Sequence, residues 1–218
     1  MRPVLICDFD GTIVSVDTGR LILSRFADGD WQHYDDLYNR NEMHVEECLR
    51  HQFSMVRATK KSMIGAIEES VPLRPGFERL LELSDERRVR LLVASYGLDF
   101  CINHILGKVP QARDLRIYSP RTRVTPSGVR FTFPRRRSKD SLNLKDDLVG
   151  FYQRRGCTVA YVGDGTSDFP AMEIADVRFA IRGSRLAELC KNGGVQYSQI
   201  TNFDQVAEGF IRPLSQNR

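Results

Sequence analysis

Two carboxylates stand at the end of the first apolar run, in Asp8-Phe9-Asp10-Gly11-Thr12. Val4-Leu5-Ile6, flanked by Cys7 and Phe9, reads as a short strand, and the Gly-Thr that follows reads as a turn. Acids placed so close repel each other near neutral pH. Such a pair persists where a cation lies between its members or where the two divide chemical labour. A hard cation such as Mg2+ takes one or two carboxylates together with substrate phosphate oxygens. The segment therefore predicts a strand whose carboxyl end carries phosphoryl-transfer chemistry, against the plainer reading of solvated strand-end acids.

A second strand ends the same way. Cys157-Thr158-Val159-Ala160-Tyr161-Val162 is rich in β-branched and aromatic residues and runs into Gly163-Asp164-Gly165-Thr166-Ser167-Asp168. A helix is expected next, with apolar Phe169, Met172, Ile174 and Ala175. In open α/β sheets the ligand crevice lies outside the carboxyl ends of the strands. If the two strands are neighbours, Asp164 and Asp168 face Asp8 and Asp10, and the converging acids make a Mg2+ site.

Two further groups fit that chemistry. Val89 to Ala94 reads as a strand ending at Ser95, followed by Tyr96-Gly97 and a helix from about Asp99. A hydroxyl beside the free N–H groups of a helix start suits a phosphate oxygen. Lys145 lies near the start of a helix predicted over 142–155, where it would act as a point charge on phosphate.

These four segments, Asp8/Asp10/Thr12, Ser95, Lys145 and Asp164/Asp168, resemble the haloacid dehalogenase superfamily of phosphatases, in that order along the chain. Within it the chain is most similar to the phosphoserine-phosphatase-like branch, which includes methylthiopentenyl-phosphate phosphatases. The resemblance implies Asp8 as nucleophile and Asp10 as acid and base. It puts Asp8, the Asp10 carbonyl and Asp164 on Mg2+ with Asp168 close by, and Ser95 and Lys145 on phosphate. Thr12 would orient the loop. For substrate contacts it points to Thr12, Asp17, Gln52, Tyr96 and Gly97. Asp17 stands nine residues after Asp8, where relatives carry Glu, and Gln52 falls where they carry a cap Arg, with Arg50 and Arg57 close. Ser95-Tyr96-Gly97 replaces Ser-Gly-Gly, so Tyr96 would fill space beside the phosphate. The metabolite is therefore left open.

The architecture expected is α/β, a Rossmann-like parallel sheet core with an inserted small helical cap and a β-hairpin. Helical stripes at Leu21 to Phe26, Val45 to Val56 and Met63 to Val71 separate the first strand from the rest. Pro72 and Pro75 end this block. Residues 15–73 are read as the cap, and 1–14 with 74–218 as the core. Arg121 to Thr125 and Val129 to Phe133 flank Pro126-Ser127-Gly128 and read as a hairpin with outward arginines.

The chain of 218 residues, 41% hydrophobic, suffices for one core domain with a small accessory one. Five scattered cysteines without a Cys-x-x-Cys pair argue against a disulfide framework or zinc site and for a reducing cytoplasm. The catalytic strand follows Met1-Arg2-Pro3 at once, so no leader is expected, and no run reaches the ~18 apolar residues of a membrane span. A net charge of +4 favours anionic substrates without singling out nucleic acid.

The expected partner is a small-molecule phosphomonoester, with a homodimer left open and no membrane contact. The alternatives are a nucleic-acid end phosphatase using the basic 113–139 segment, or a non-catalytic phospho-ligand module. Asp146 and Asp147 read as helix-start charges, and His44 and His51 as surface or cap packing. Gly163-Asp164-Gly165 lacks the third glycine of a dinucleotide fingerprint.

Overall fold

A computed structural model of the chain describes residues 3–68 and 71–213. The chain runs through β1 (Val4–Cys7), α1 (Thr18–Phe26), α2 (Gln32–Asn39), α3 (Val45–Ser54), α4 (Lys60–Glu68) and α5 (Phe77–Glu86). It continues through β2 (Arg90–Ala94), α6 (Asp99–Leu106), β3 (Arg116–Tyr118), β4 (Arg121–Thr125) and β5 (Gly128–Thr132). The last part comprises α7 (Leu144–Gln153), β6 (Val159–Gly163), α8 (Phe169–Ile174), β7 (Val177–Ile181), α9 (Arg185–Asn192), β8 (Ser198–Ile200) and α10 (Asp204–Val206).

Six strands form one parallel sheet in the order β3-β2-β1-β6-β7-β8. From β1 the chain builds outward to β2 and β3, then crosses back to lay β6 on the other side. β1 and β6 thus meet at the point where strand order reverses, the place where ligands bind in such sheets. Cys7 is in register with Val162, and the Asp8 N–H continues the ladder to the Val162 carbonyl at 2.9 Å. The two acidic strand ends are neighbours, as the sequence required for a shared site.

Both faces of β1 are covered, which explains its unbroken apolar run. Leu5 and Cys7 pack with Phe77, Leu80, Ile102, Phe203 and Phe210 on one side of the sheet. Val4 and Ile6 pack with Leu148, Val149, Tyr152, Met172 and Leu186 on the other. Each large side chain buried this way contributes roughly 1.5–3 kcal/mol.

A third cluster joins the inserted helices to the hairpin. Ile22, Leu23, Phe53, Met63 and Ile67 pack with Phe100, Val129 and Phe131. The Arg50 guanidinium donates to the Phe131 carbonyl at 3.0 Å, and the Phe53 and Phe131 rings meet edge to face at 5.3 Å. The antiparallel β4–β5 hairpin therefore lies against α3 as a separate two-stranded sheet, apart from the parallel one as expected. Its arginines Arg121, Arg123 and Arg130 do face outward.

The chain enters and leaves the inserted region side by side. Val14 and Leu73 form an antiparallel bridge, flanked by Ser15 N–H to Pro72 O at 3.2 Å and Arg74 N–H to Ile13 O at 2.8 Å. Two elements escaped the sequence reading. α2 buries no residue, so no apolar stripe marks it, and β8 is a three-residue edge strand with one buried side chain. Val71, expected on the third helix, lies beyond the end of α4; Met1, Arg2, Glu69 and Ser70 fall outside the described residues. Among the described residues no helix is long and apolar enough to cross a membrane. All five cysteines are unpaired.

Candidate active site

Lys145 is the centre of the charge network. It sits in the first turn of α7, where Asn143 caps the helix and accepts from the Lys145 N–H, while Asp146 accepts from the Asn143 N–H at 2.7 Å. This reciprocal capping fixes the helix start. The Lys145 ammonium, 1% exposed, donates to Asp8 at 2.8 Å, Asp168 at 2.6 Å and the Ser167 hydroxyl at 2.8 Å. All three of its protons are thereby placed. Burial alone would favour the neutral amine, but the Asp168 and Asp8 carboxylates outweigh it and hold the group well above its usual range.

The carboxylates of Asp8, Asp164 and Asp168 approach within 4.8 Å of one another. Three acids thus face one lysine, leaving buried negative charge uncompensated. The consequence appears in their proton affinities. Burial, with repulsion from Asp168 and Asp164, raises the Asp8 carboxyl well above the usual range despite Lys145. Burial and then Asp168 push Asp164 up to about 7, against the Thr12 hydroxyl that donates to it at 2.7 Å. An all-oxygen donor set with surplus negative charge fits a hard divalent cation such as Mg2+.

The four predicted ligands are not equivalent. Asp168 accepts from Lys145 and the Tyr161 hydroxyl on one oxygen, and from the Asp164 and Gly165 N–H groups on the other. Its roughly four lone-pair sites are filled. It therefore fixes Lys145 and the 164–165 turn while its carboxylate stays within the three-acid cluster that could hold a metal ion. The Asp10 carboxylate stands apart from that cluster. It turns to the start of α1, accepting from the Thr18 N–H at 2.8 Å and the Thr18 hydroxyl at 2.6 Å. Burial first, then repulsion from Asp17, pushes Asp10 up to about 7, against these hydrogen bonds.

Backbone shape at the site is set by two glycines. Gly11 adopts φ +71°, in the left-handed region, and a Cβ there would lie 2.1 Å from an Asp164 oxygen. At Gly97 a Cβ would lie 2.4 Å from an Asp10 oxygen. Both acids occupy space that only a glycine leaves open.

A cavity of about 640 Å³ opens over this network, lined from below by Asp8, Asp10, Ser95, Tyr96, Gly97, Lys145 and Asp164. That volume suits a small ligand. The buried Ser95 hydroxyl accepts from the Gly97 N–H at 2.9 Å and keeps its own proton for a ligand. The Tyr96 ring lines the cavity, as expected, while its hydroxyl accepts from the Leu144 N–H at 2.9 Å and ties the β2 loop to α7.

Opposite these groups, the inserted region contributes Asp17, Arg20, Asp35, Tyr38, Val45, Leu49 and Phe53. Two predicted substrate contacts are not among them. Gln52 is buried and donates to Asp35 at 2.7 Å and to the Trp31 carbonyl at 3.2 Å, so it supports the wall from behind. Thr12 is fully buried on Asp164. Arg50 and Arg57 are turned to the Phe131 carbonyl and to the Ser54 and Val56 carbonyls. Two arginines do line the cavity, Arg20 from the inserted region and Arg185 from the start of α9, and the sequence alone marked neither.

The other sequence calls resolve locally. Asp146 caps α7, but Asp147 has a larger task than a helix-start charge: fully buried, it accepts from the Arg137 and Ser138 N–H groups and pairs with the Arg137 guanidinium at 2.9 Å. His44 caps α3 through Nδ1 and donates from Nε2 to the Leu142 carbonyl at 2.9 Å. His51 stacks on Tyr34. No residue of the basic 113–139 segment lines the catalytic cavity; Arg135, Arg136 and Lys139 line a separate groove with Arg50.

A carboxylate held against a lysine at the reversal point of a parallel sheet, with further acids at the next strand end, places the molecule among α/β phosphoryl-transfer enzymes. Residues 5–173 match the haloacid dehalogenase-like hydrolase family, and the chain belongs to it, as a phosphoric monoester hydrolase. It is 26% identical over 219 residues to a 2-hydroxy-3-keto-5-methylthiopentenyl-1-phosphate phosphatase from Bacillus pumilus, covering 95% of this chain and 93% of that protein. A protein of the same name from Brevibacillus brevis is 26% identical over 220 residues, covering 99% and 96%. Among solved structures, a phospho-aspartyl intermediate analogue of phosphoserine phosphatase superimposes with a TM-score of 0.72 at 18% identity, over 95% of this chain and 98% of that one. Substrate-bound phosphoserine phosphatase gives 0.71 at 17% identity, with the same coverage. These superpositions establish the shared fold.

Proposed function

We propose that the protein is a Mg2+-dependent phosphatase that hydrolyses a small phosphomonoester through an aspartyl phosphate on Asp8. The observation that carries this reading is the Lys145 ammonium shared between Asp8 and Asp168 beside the Asp164 carboxylate. The relatives named for a methylthiopentenyl phosphate support a small metabolite as substrate, as does a cavity of about 640 Å³.

The chemistry follows from the residues. An Asp8 oxygen attacks phosphorus while the bond to the leaving oxygen breaks. Asp10, its carboxyl pushed up to about 7, gives its proton to the departing alkoxide. The resulting Asp10 carboxylate then takes a proton from water as that water attacks the aspartyl phosphate. Phosphate leaves and the Asp8 carboxylate is restored. Lys145, its protons on Asp8, Asp168 and Ser167, acts on the phosphoryl oxygens as a point charge, and the Ser95 hydroxyl donates to one of them. Mg2+, held by Asp8, Asp164 and the Asp10 carbonyl, would supply the charge neutralisation that an anion attacking an anion requires.

In the same reading, residues 15–73 act as a cap on a core of 1–14 and 74–218, closing over the site to exclude water. The hairpin packs against both parts: it shares a cluster with Phe53 of α3 and Phe100 of α6, and its Thr122 N–H donates to Asp99 at the start of α6. Thr166 of the core meets Asn39 of α2 at 3.3 Å, and His44 meets the Leu142 carbonyl, so the closed edge is already bridged.

The test is hydrolysis of an aryl phosphate by purified protein with Mg2+ or with chelator. Turnover should require Mg2+, and Asp8→Asn should abolish it with the fold intact. Asp10→Asn should lose most of the rate yet still accumulate phosphoenzyme. Near-normal turnover in Asp8→Asn would rule out the covalent route.

A further inference from the structure

The wall of the cavity opposite the catalytic acids contains a preorganised cation. Arg20 is the third residue of α1, and its N–H donates to the capping Asp17 carboxylate at 2.8 Å. One nitrogen of its guanidinium donates to Asp35. The other Asp35 oxygen accepts from Gln52, which is 3% exposed and also tied to the Trp31 carbonyl. Both Asp35 oxygens are thus occupied, and a buried amide braces the pair from behind. Of the five N–H donors of Arg20, only the one pointing to Asp35 has a side-chain or backbone partner among the described residues. Its side chain remains 59% exposed while lining the cavity.

A shared cavity connects this cation to the leaving group. Asp10, which protonates the leaving oxygen, is bonded to Thr18 at the first turn of α1. Arg20 stands two residues further along the same turn. A leaving group protonated by Asp10 would occupy this same cavity, which Arg20 also lines beside the apolar side chains of Val45, Leu49 and Phe53. A guanidinium with unused donors recognises an acceptor oxygen, and its planar fork suits a carboxylate or carbonyl group.

We propose that Arg20, braced by Asp35 and Gln52, forms a leaving-group subsite that selects phosphomonoesters carrying a carboxylate or carbonyl oxygen near the ester, with an apolar remainder. This rests on the phosphatase reading above. Gln52 is here a positioning residue that acts through Asp35, in place of a direct substrate contact.

The test compares substrates matched in carbon number. Phosphoglycolate is set against ethyl phosphate, and dihydroxyacetone phosphate against propyl phosphate, each with Mg2+. The wild-type protein should prefer the oxygen-bearing member by about tenfold or more in kcat/KM, the scale of one charge-assisted hydrogen bond. Arg20→Met should bring both ratios close to unity, mainly through KM, and Arg20→Lys should restore part of the preference. Gln52→Leu should fall between wild type and Arg20→Met. The exposure of Arg20 keeps its variants foldable, and a thermal melt confirms it. Turnover of all four esters with ratios unchanged in Arg20→Met would overturn the subsite and leave the phosphatase reading standing. Failure of the wild-type protein to hydrolyse any ester with Mg2+ would overturn both.

Discussion

The Arg74 guanidinium holds the Gly11 carbonyl at 2.6 Å, and its Nε holds the neighbouring Thr12 carbonyl at 2.8 Å. Arg74 lies where the chain returns from the inserted helices, its own N–H bonded to Ile13. One side chain therefore couples the return segment to the loop that carries Asp10 and packs against Asp164. Without the fork, the two carbonyls lose fixed donors and the loop can relax.

Arg74→Ala is expected to lower kcat by about 10- to 100-fold, the scale of one or two charge-assisted hydrogen bonds, with a smaller change in KM. Arg74→Lys should recover only part, because a lysine cannot span two carbonyls with the fixed geometry of a guanidinium. Steady-state kinetics beside a thermal melt checks this. A lower melting temperature with kcat intact would reduce Arg74 to a fold element.

Gly97→Ala should damage catalysis with little effect on the fold. The added Cβ would sit 2.4 Å from the Asp10 carboxylate and 3.2 Å from the Ser95 oxygen. Asp10 must move, and a displacement of about 1 Å at a reacting group lowers the rate on the order of 10²-fold. Gly97 stands outside the sheet core, so the melting temperature should stay close to wild type. Turnover of an aryl phosphate near the wild-type rate would show that Asp10 has room to shift.

L-Phosphoserine should be a poor substrate. Gln52, where the family resemblance implies a substrate-binding arginine, is buried and turned to Asp35 and Trp31. Tyr96 narrows the floor of the cavity, and its hydroxyl is committed to Leu144. The kcat/KM for phosphoserine should fall well below that for the best oxygen-bearing ester lacking an ammonium. A preference for phosphoserine would mean that Asp17 and Arg20 hold the amino acid between them.

How far the sequence could be read follows from which residues do one job and which do two. β1 is fully buried and ends in acids, so apolar run and chemistry coincide, and Asp8, Asp10, Ser95, Lys145 and Asp164 were all legible. Asp168 was legible as an acid, but its four accepted hydrogen bonds depend on Tyr161 and Lys145 arriving from separate elements. The opposing wall was harder. α2 has no buried residue to mark its face, so Asp35 and Tyr38 gave no periodic signal. Arg20 reads as an ordinary surface arginine until Gln52 and Asp35 are seen behind it. Arg74 sits in a proline turn whose purpose appears only when the two connections pair.

The surplus negative charge of the site makes metal binding and stability depend on pH in a definite direction. Asp164, a carboxyl with an ordinary pKa of 3.8, is pushed up to about 7, and Asp8 is raised in the same direction, burial being the largest cause for both. A carboxyl whose folded pKa exceeds its unfolded one binds more protons when folded, so it opposes folding as pH rises. Its penalty begins above the unfolded value of 3.8 and is complete above about 7. The metal-free protein should therefore lose melting temperature between about pH 5 and pH 8 from these groups, by roughly 2–4 °C for each kcal/mol. Mg2+ should reverse that loss, and its apparent affinity should climb through about pH 7, because the acids must shed protons to hold it. Asp164→Asn should raise the melting temperature in chelator at about pH 8 and abolish the gain from Mg2+. Thermal melts across this pH range, with and without Mg2+, provide the check. A metal-free protein whose melting temperature rises steadily with pH, or an Asp164→Asn variant stabilised by Mg2+ as much as wild type, would show that the charge surplus is relieved by other means than a cation on Asp8 and Asp164.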